Sequence, residues 1–172
     1  MPTTTVSHAT LAGGVHALVA GEAGSGDPIV CIAGWPQTAE SFLEIIDALS
    51  AQHQVLVLDP PGLGDSAPSS TGYDTQTISR ILVAAVESHL GATTRYHLVG
   101  HDVGAWIAFS WAALQRTTVL SVTHHGCNVL RVHTGGILPT AVRCQCETVA
   151  ICVQQTARPA RDADRRPGAT PA

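Results

Sequence analysis

The sequence predicts an α/β fold, a mostly parallel sheet with helices on both faces that is entered through an N-terminal β-hairpin. Three observations lead there. Short apolar runs alternate with segments of helical periodicity three times between Ile29 and Leu114, the pattern of strand–helix units in a parallel sheet. The runs Ile29–Ala33 and Gln54–Leu58 are almost continuously apolar, as strands covered on both faces are. Gly13-Gly14 separates two strand-like stretches between Val6 and Ala20, which reads as a hairpin turn.

The elements follow in order. After the hairpin, a glycine-rich loop from Gly21 to Pro28 leads into the strand Ile29–Ala33. Ala39 to Ala51 carries Phe42, Ile45, Ile46 and Leu49 at the spacing of one helical face, and Gln54–Leu58 is the next strand. A turn-rich stretch from Asp59 to Gly72 precedes a helix over about Asp74 to Leu90, with Ile78, Ile81, Leu82, Ala85 and Val86 on one side. Asp74 or Thr75 suits its N-cap. Arg95–Val99 is a third strand, and a helix over Val103–Leu114 follows without a breaker. Trp106, Phe109 and Trp111 on that helix are expected in the core.

The 172 residues fit one domain, and the net charge of −4 gives no basic footprint for nucleic acid. No stretch reaches the roughly 18 apolar residues of a membrane span. Met1–Thr5 lacks the charged start and apolar core of a secretory signal. The expected location is the cytoplasm, and five cysteines, an odd number, suit a reducing compartment. The expected partner is a small-molecule substrate, with neither nucleic acid nor membrane; oligomeric state is left open.

Ligands in open parallel sheets bind beyond the carboxyl ends of the strands, where the strand order reverses. With the Gln54 strand on one side of the Ile29 strand and the Arg95 strand on the other, that point falls between Ala33 and Gly100. The loop Gly34-Trp35-Pro36 then faces Asp102. Gly100-His101-Asp102-Val103-Gly104 has the small-x-nucleophile-x-small form of a strained strand-to-helix turn, whose glycines avoid clashes with neighbouring backbone. Its central residue is Asp. A carboxylate attacks carbon without a base first removing a proton, and the product is an ester.

Ala33-Gly34-Trp35-Pro36-Gln37, Asp59-Pro60-Pro61-Gly62-Leu63-Gly64-Asp65-Ser66 and the Asp102 pentapeptide, each at a strand end, resemble the amino-terminal half of an α/β-hydrolase. The Asp elbow narrows the resemblance to the epoxide hydrolase and haloalkane dehalogenase branch. It covers about residues 15 to 115 and implies a partial α/β-hydrolase fold. It also implies Asp102 as nucleophile, the backbone N–H groups of Trp35 and Val103 as oxyanion donors, and a water-activating His oriented by a second carboxylate. Hydrolysis of an aspartyl ester develops negative charge on its carbonyl oxygen, so two N–H donors there agree with the chemistry. Ala33 stands where the family usually has His. Val103 stands where dehalogenases commonly place a halide-binding Trp, which favours epoxide opening over haloalkane chemistry.

After about Gln115 the pattern changes. Periodicity fades, four of the five cysteines lie at or beyond Cys127, the acidic residues after the elbow are Glu147, Asp162 and Asp164, and the chain has no lysine at all. The division expected is a core over 1–115, a divergent segment over 116–157 and a disordered tail over 158–172, rich in Arg, Pro and Ala. A shifted reading frame and an authentic divergent end both produce such a break. A sheet ending at the Arg95 strand has an open edge, so a non-catalytic relic without lid, acid or base stands as the alternative to an active hydrolase. A haloalkane dehalogenase-like hydrolase is a further one.

The bland readings differ by site. Asp102 taken alone suits an ordinary N-cap, and His101 is expected to pack beneath the elbow. Gly62-Leu63-Gly64-Asp65-Ser66-Ala67 matches a dinucleotide-binding pattern, but Pro68–Gly72 follows where a helix should open. His124, His125, Cys127, Cys144, Cys146 and Cys152 match no paired Cys-x-x-Cys spacing. No metal and no cofactor are therefore expected. His124, His125 and His133 are the histidines after the elbow; none stands at a position matched to the family's base.

Overall fold

The computed structural model describes residues 4–126 and 149–152. Strands β1 (Ser7–Leu11) and β2 (Val15–Ala20) form the hairpin. Then come β3 (Ile29–Ile32), α1 (Leu43–Ser50), β4 (Val55–Leu58), α2 (Thr75–Leu90), β5 (Tyr96–His101), α3 (Val103–Leu114), β6 (Val119–His125) and β7 (Val149–Cys152). They build one sheet in the order β1-β2-β4-β3-β5-β6-β7. The pairs β3·β4, β3·β5 and β5·β6 are parallel, while β1·β2, β2·β4 and β6·β7 are antiparallel. The strand order reverses at β3, flanked by β4 and β5, the arrangement on which the placement of the ligand site was conditioned.

Side chains alternate across the sheet, and each face has its own core. Val30, Ile32, Leu56, Leu58, Tyr96 and Leu98 pack against Ile78, Leu82 and Val86 of α2 and Ile107 and Trp111 of α3. Ile29, Cys31, Val55 and Val57 point the other way, against Ile46 of α1 and Phe42 just before it. Asp74 caps α2, its carboxylate accepting the Thr77 N–H at 3.0 Å. No described helix is long and apolar enough to cross a membrane.

The structure corrects three expectations. The sheet does not end at β5: β6 pairs with it in parallel from Tyr96↔Val119 to His101↔His125. Trp106 is 51% exposed, while Trp111 is fully buried. The helix face predicted over Ala39–Ala51 starts as a 3₁₀ turn at Ala39–Phe42, and Ile46 is buried while Ile45 is exposed. The divergent segment and tail expected from the composition fall largely outside the described residues.

Candidate active site

At the carboxyl end of β5 the chain must turn within one residue to start α3, and Asp102 absorbs that turn. With φ 51° and ψ −118° it is the one non-glycine residue of positive φ among the described residues, a conformation that costs on the order of 1–3 kcal/mol. The flanking glycines make the turn possible. A Cβ on Gly100 would stand 2.5 Å from the Ala105 Cα, and one on Gly104 would collide with the Ile32 carbonyl. The turn is also held from outside, because the Asp102 N–H donates to the His125 carbonyl of β6 at 2.9 Å and the Asp102 carbonyl accepts the Ala105 N–H at 3.0 Å.

The Asp102 side chain does not cap α3, so the N-cap reading fails. Its Oδ2 instead accepts the backbone N–H of Trp35 at 3.1 Å. The loop after β3 reaches the elbow because Gly34 lies flat against it, where a Cβ would stand 2.7 Å from the Asp102 Cβ. The Trp35 indole itself is 66% exposed. Val103 follows at the first position of α3, where backbone N–H groups have no acceptor within the helix. Asp102 and Trp35, singled out in the sequence, therefore meet where the carboxyl ends of the paired strands β3 and β5 lie side by side, with Val103 next to Asp102 in the chain.

Three histidines surround the elbow. His101 and His125 stack with ring centroids 5.7 Å apart and planes 18° off parallel. His124, on the opposite face of β6, packs its ring 5.3 Å from that of Phe109 and is buried. Burial first, and the neighbouring His125 second, hold the His124 imidazole below its ordinary pKa. His133, Cys127, Cys144 and Cys146 lie outside the described residues. Cys31 is buried in β3, which pushes its thiol up to about 12; it stays protonated and is no nucleophile.

A cavity of about 610 Å³ opens on the α1 side of β5 and β6, lined by Phe42, Ile45, His97, Val99, Thr123 and His125 among others. Gly100 and His101, next to the elbow, also line it, while neither Asp102 nor Trp35 does. On this face His97 Nδ1 lies 2.7 Å from the Ser121 hydroxyl. Burial, the largest influence, keeps the His97 pKa low.

A second polar centre escaped the sequence reading. Asp59, at the end of β4, is 1% exposed. Its Oδ2 lies 2.7 Å from His16 Nδ1 on β2, and its Oδ1 accepts the Ala39 N–H at 2.6 Å. Gly64 lets the following loop close over this carboxylate, with φ +51° and no room for a Cβ. That packing accounts for Gly64, while Gly62 has φ +82° and lies against the Tyr73 ring; α2 begins only at Thr75, so no dinucleotide-type helix opens there. The partners are 43 residues apart. A histidine within a strand was the available signal.

Comparison with known proteins bears on the fold and the family. A family model described as alpha/beta hydrolase fold matches residues 27–141. The soluble epoxide hydrolase of Corynebacterium sp. (strain C12) is 40% identical over 97 residues, which are 56% of this chain and 33% of that protein. A cis-3-alkyl-4-alkyloxetan-2-one decarboxylase of Shewanella oneidensis is 36% identical over 93 residues, 52% of this chain and 29% of the relative. Among solved structures, the epoxide hydrolase CorEH without ligand superposes with a TM-score of 0.59 at 35% identity, covering 68% of this chain and 40% of its own. Cfl2 from Burkholderia cenocepacia gives 0.65 at 29% identity, covering 81% and 47%. The chain spans about a third of the length of the curated relatives it matches. It belongs to the α/β-hydrolase fold family and is similar, within that family, to epoxide hydrolases.

Proposed function

We propose that the chain opens an epoxide through a covalent aspartyl ester on Asp102. The observation that carries this reading is the Asp102 carboxylate, presented on a strained elbow with Oδ2 on the Trp35 N–H. Oδ1 attacks an epoxide carbon, the carbon–oxygen bond of the ring breaks, and the released oxygen takes up a proton from solvent water. Oδ2 becomes the ester carbonyl oxygen and keeps the Trp35 N–H. When water adds to that carbonyl carbon, negative charge gathers on Oδ2, where the N–H groups of Trp35 and Val103 receive it; the acyl carbon–oxygen bond of the ester then breaks, the diol leaves as the alcohol after taking a proton, and the Asp102 carboxylate is restored. The addition needs a base to take the water's proton, and no described residue is assigned that role.

The test separates the two steps. Folded protein is incubated with styrene oxide, an epoxide bearing a p-nitrophenyl group and a bromoalkane, with intact mass and product recorded. Expected is one equivalent of epoxide mass on the chain, absent from Asp102→Ala, with or without diol release. Sustained diol confirms turnover; a persistent adduct limits the chain to ester formation, the relic alternative. Reaction with the bromoalkane alone moves the reading to the dehalogenase side. Soluble, folded protein that neither gains mass nor releases product overturns it.

A further inference from the structure

His16 is set up as more than a packed core residue. The Asp59 carboxylate accepts at 2.7 Å from His16 Nδ1, which places the ring proton on Nδ1 and leaves the Nε2 lone pair facing outward. At 3.0 Å from Nε2 stands Nδ1 of His8. His8 comes from the adjacent edge strand β1, two residues along from Thr10, which pairs with His16, and on the same face. The Asp65 carboxylate completes the group: one ligand atom each from His8, His16 and Asp65 lie within 4.8 Å of one another. The loop that carries Asp65 is fixed by its own N–H, which donates to Asp59 Oδ2 at 3.2 Å. Next to it the Ser66 hydroxyl accepts the His16 N–H at 2.8 Å and donates to the Asp59 carbonyl at 2.7 Å.

We propose that His8 Nδ1, His16 Nε2 and the Asp65 carboxylate form a site for a divalent first-row transition ion of the zinc class. Two imidazoles and one carboxylate are a donor set that such ions take, and three protein ligands leave a position for water. The Asp59–His16 pair is the carboxylate–histidine arrangement that orients a ligating ring. Two ring nitrogens 3.0 Å apart need one proton between them when no ion is present; an ion replaces that proton and joins both lone pairs. His8 and Asp65 are exposed while His16 is buried, so an ion reaches the site from solvent and meets a ligand already oriented. The site ties β1, β2 and the loop after β4 together, and its effect is on stability, apart from Asp102.

The test titrates the full-length chain with Zn²⁺ against a chromophoric chelator, beside His8→Ala and Asp65→Asn. Both substituted residues are exposed, so both variants are expected to fold. Expected is one equivalent bound, with affinity falling at least about 10-fold in each variant. Zn²⁺ should raise the melting temperature of the wild type and not of His8→Ala. Substituted Co²⁺ should give a nitrogen–oxygen spectrum. Equal affinity in all three proteins, a thiolate charge-transfer band placing the ion on the cysteines, or no stoichiometric binding by folded protein would each overturn the proposal.

Discussion

The backbone N–H of Trp35 lies 3.1 Å from Oδ2 of Asp102, so the carboxylate is held by the loop after β3 and its backbone by β6. The residue is strained and the hold is what keeps it there. Asp102→Gly removes a side chain from a positive-φ position, a gain of about 1–3 kcal/mol, and loses one hydrogen bond worth about 0.5–1.5 kcal/mol. Glycine's extra freedom in the unfolded chain costs about 0.4–1 kcal/mol, so the variant is expected to lose no more than about 1 kcal/mol in urea denaturation. Gly104→Ala drives a Cβ into the Ile32 carbonyl and should cost about 2–3 kcal/mol. A marked loss of stability in Asp102→Gly would mean that the elbow is not under strain.

Tyr96 and Trp111 tie β5 to α3 inside the larger core. The Trp111 Nε1–H donates to the Tyr96 hydroxyl at 2.8 Å, and the rings meet edge to face with centroids 5.9 Å apart. Tyr96→Phe keeps the ring and strands a buried donor, for about 1–3 kcal/mol. Trp111→Phe alone also leaves a cavity. In a double-mutant cycle the two losses should add to more than the loss in the double variant; strict additivity would show that the hydrogen bond carries no energy.

The pH dependence follows from His97 and His124, both held below the ordinary imidazole value chiefly by burial. Below about pH 6.5 the unfolded chain binds protons at these positions that the folded chain refuses. Their contribution is fully present above the unfolded pKa and is lost as pH falls through it toward the folded value. The urea midpoint should thus drop between neutral pH and about pH 5.5, with a shallower drop in His124→Asn. An identical profile in that variant would remove His124 from the account.

The elbow was legible because its requirements are local. A turn that tight needs glycines on both sides of the nucleophile, and Gly100 and Gly104 stand in the sequence. The hairpin and the strands β3 and β4 were legible for the same reason, since turn glycines and unbroken apolar runs are short-range signals; the order β4-β3-β5 was a supposition that the pairing of the strands bears out. Strand β6 was not. Ser121 and Thr123 point to the face where the cavity lies, so the strand lacks the continuous apolar run of β3 and β4 and reads as a composition break. The His16–Asp59 pair was invisible because nothing local links a histidine on β2 to a carboxylate at the end of β4.

The cavity over β5 and β6 makes a further prediction about α1. Helical periodicity puts Ile45 and Ile46 on one apolar face, yet Ile46 is 1% exposed and Ile45 is 47% exposed, at the rim of the cavity. Their substitutions should therefore behave differently. Ile46→Ala removes buried side-chain volume against Val55 and Val57 and should cost about 2–5 kcal/mol. Ile45→Ser removes a side chain that half faces water and should stay within roughly 0.5 kcal/mol of the wild type. Equal, large losses in urea denaturation would mean that another part of the chain covers the cavity in solution, because Ile45 would then be a core residue like its neighbour.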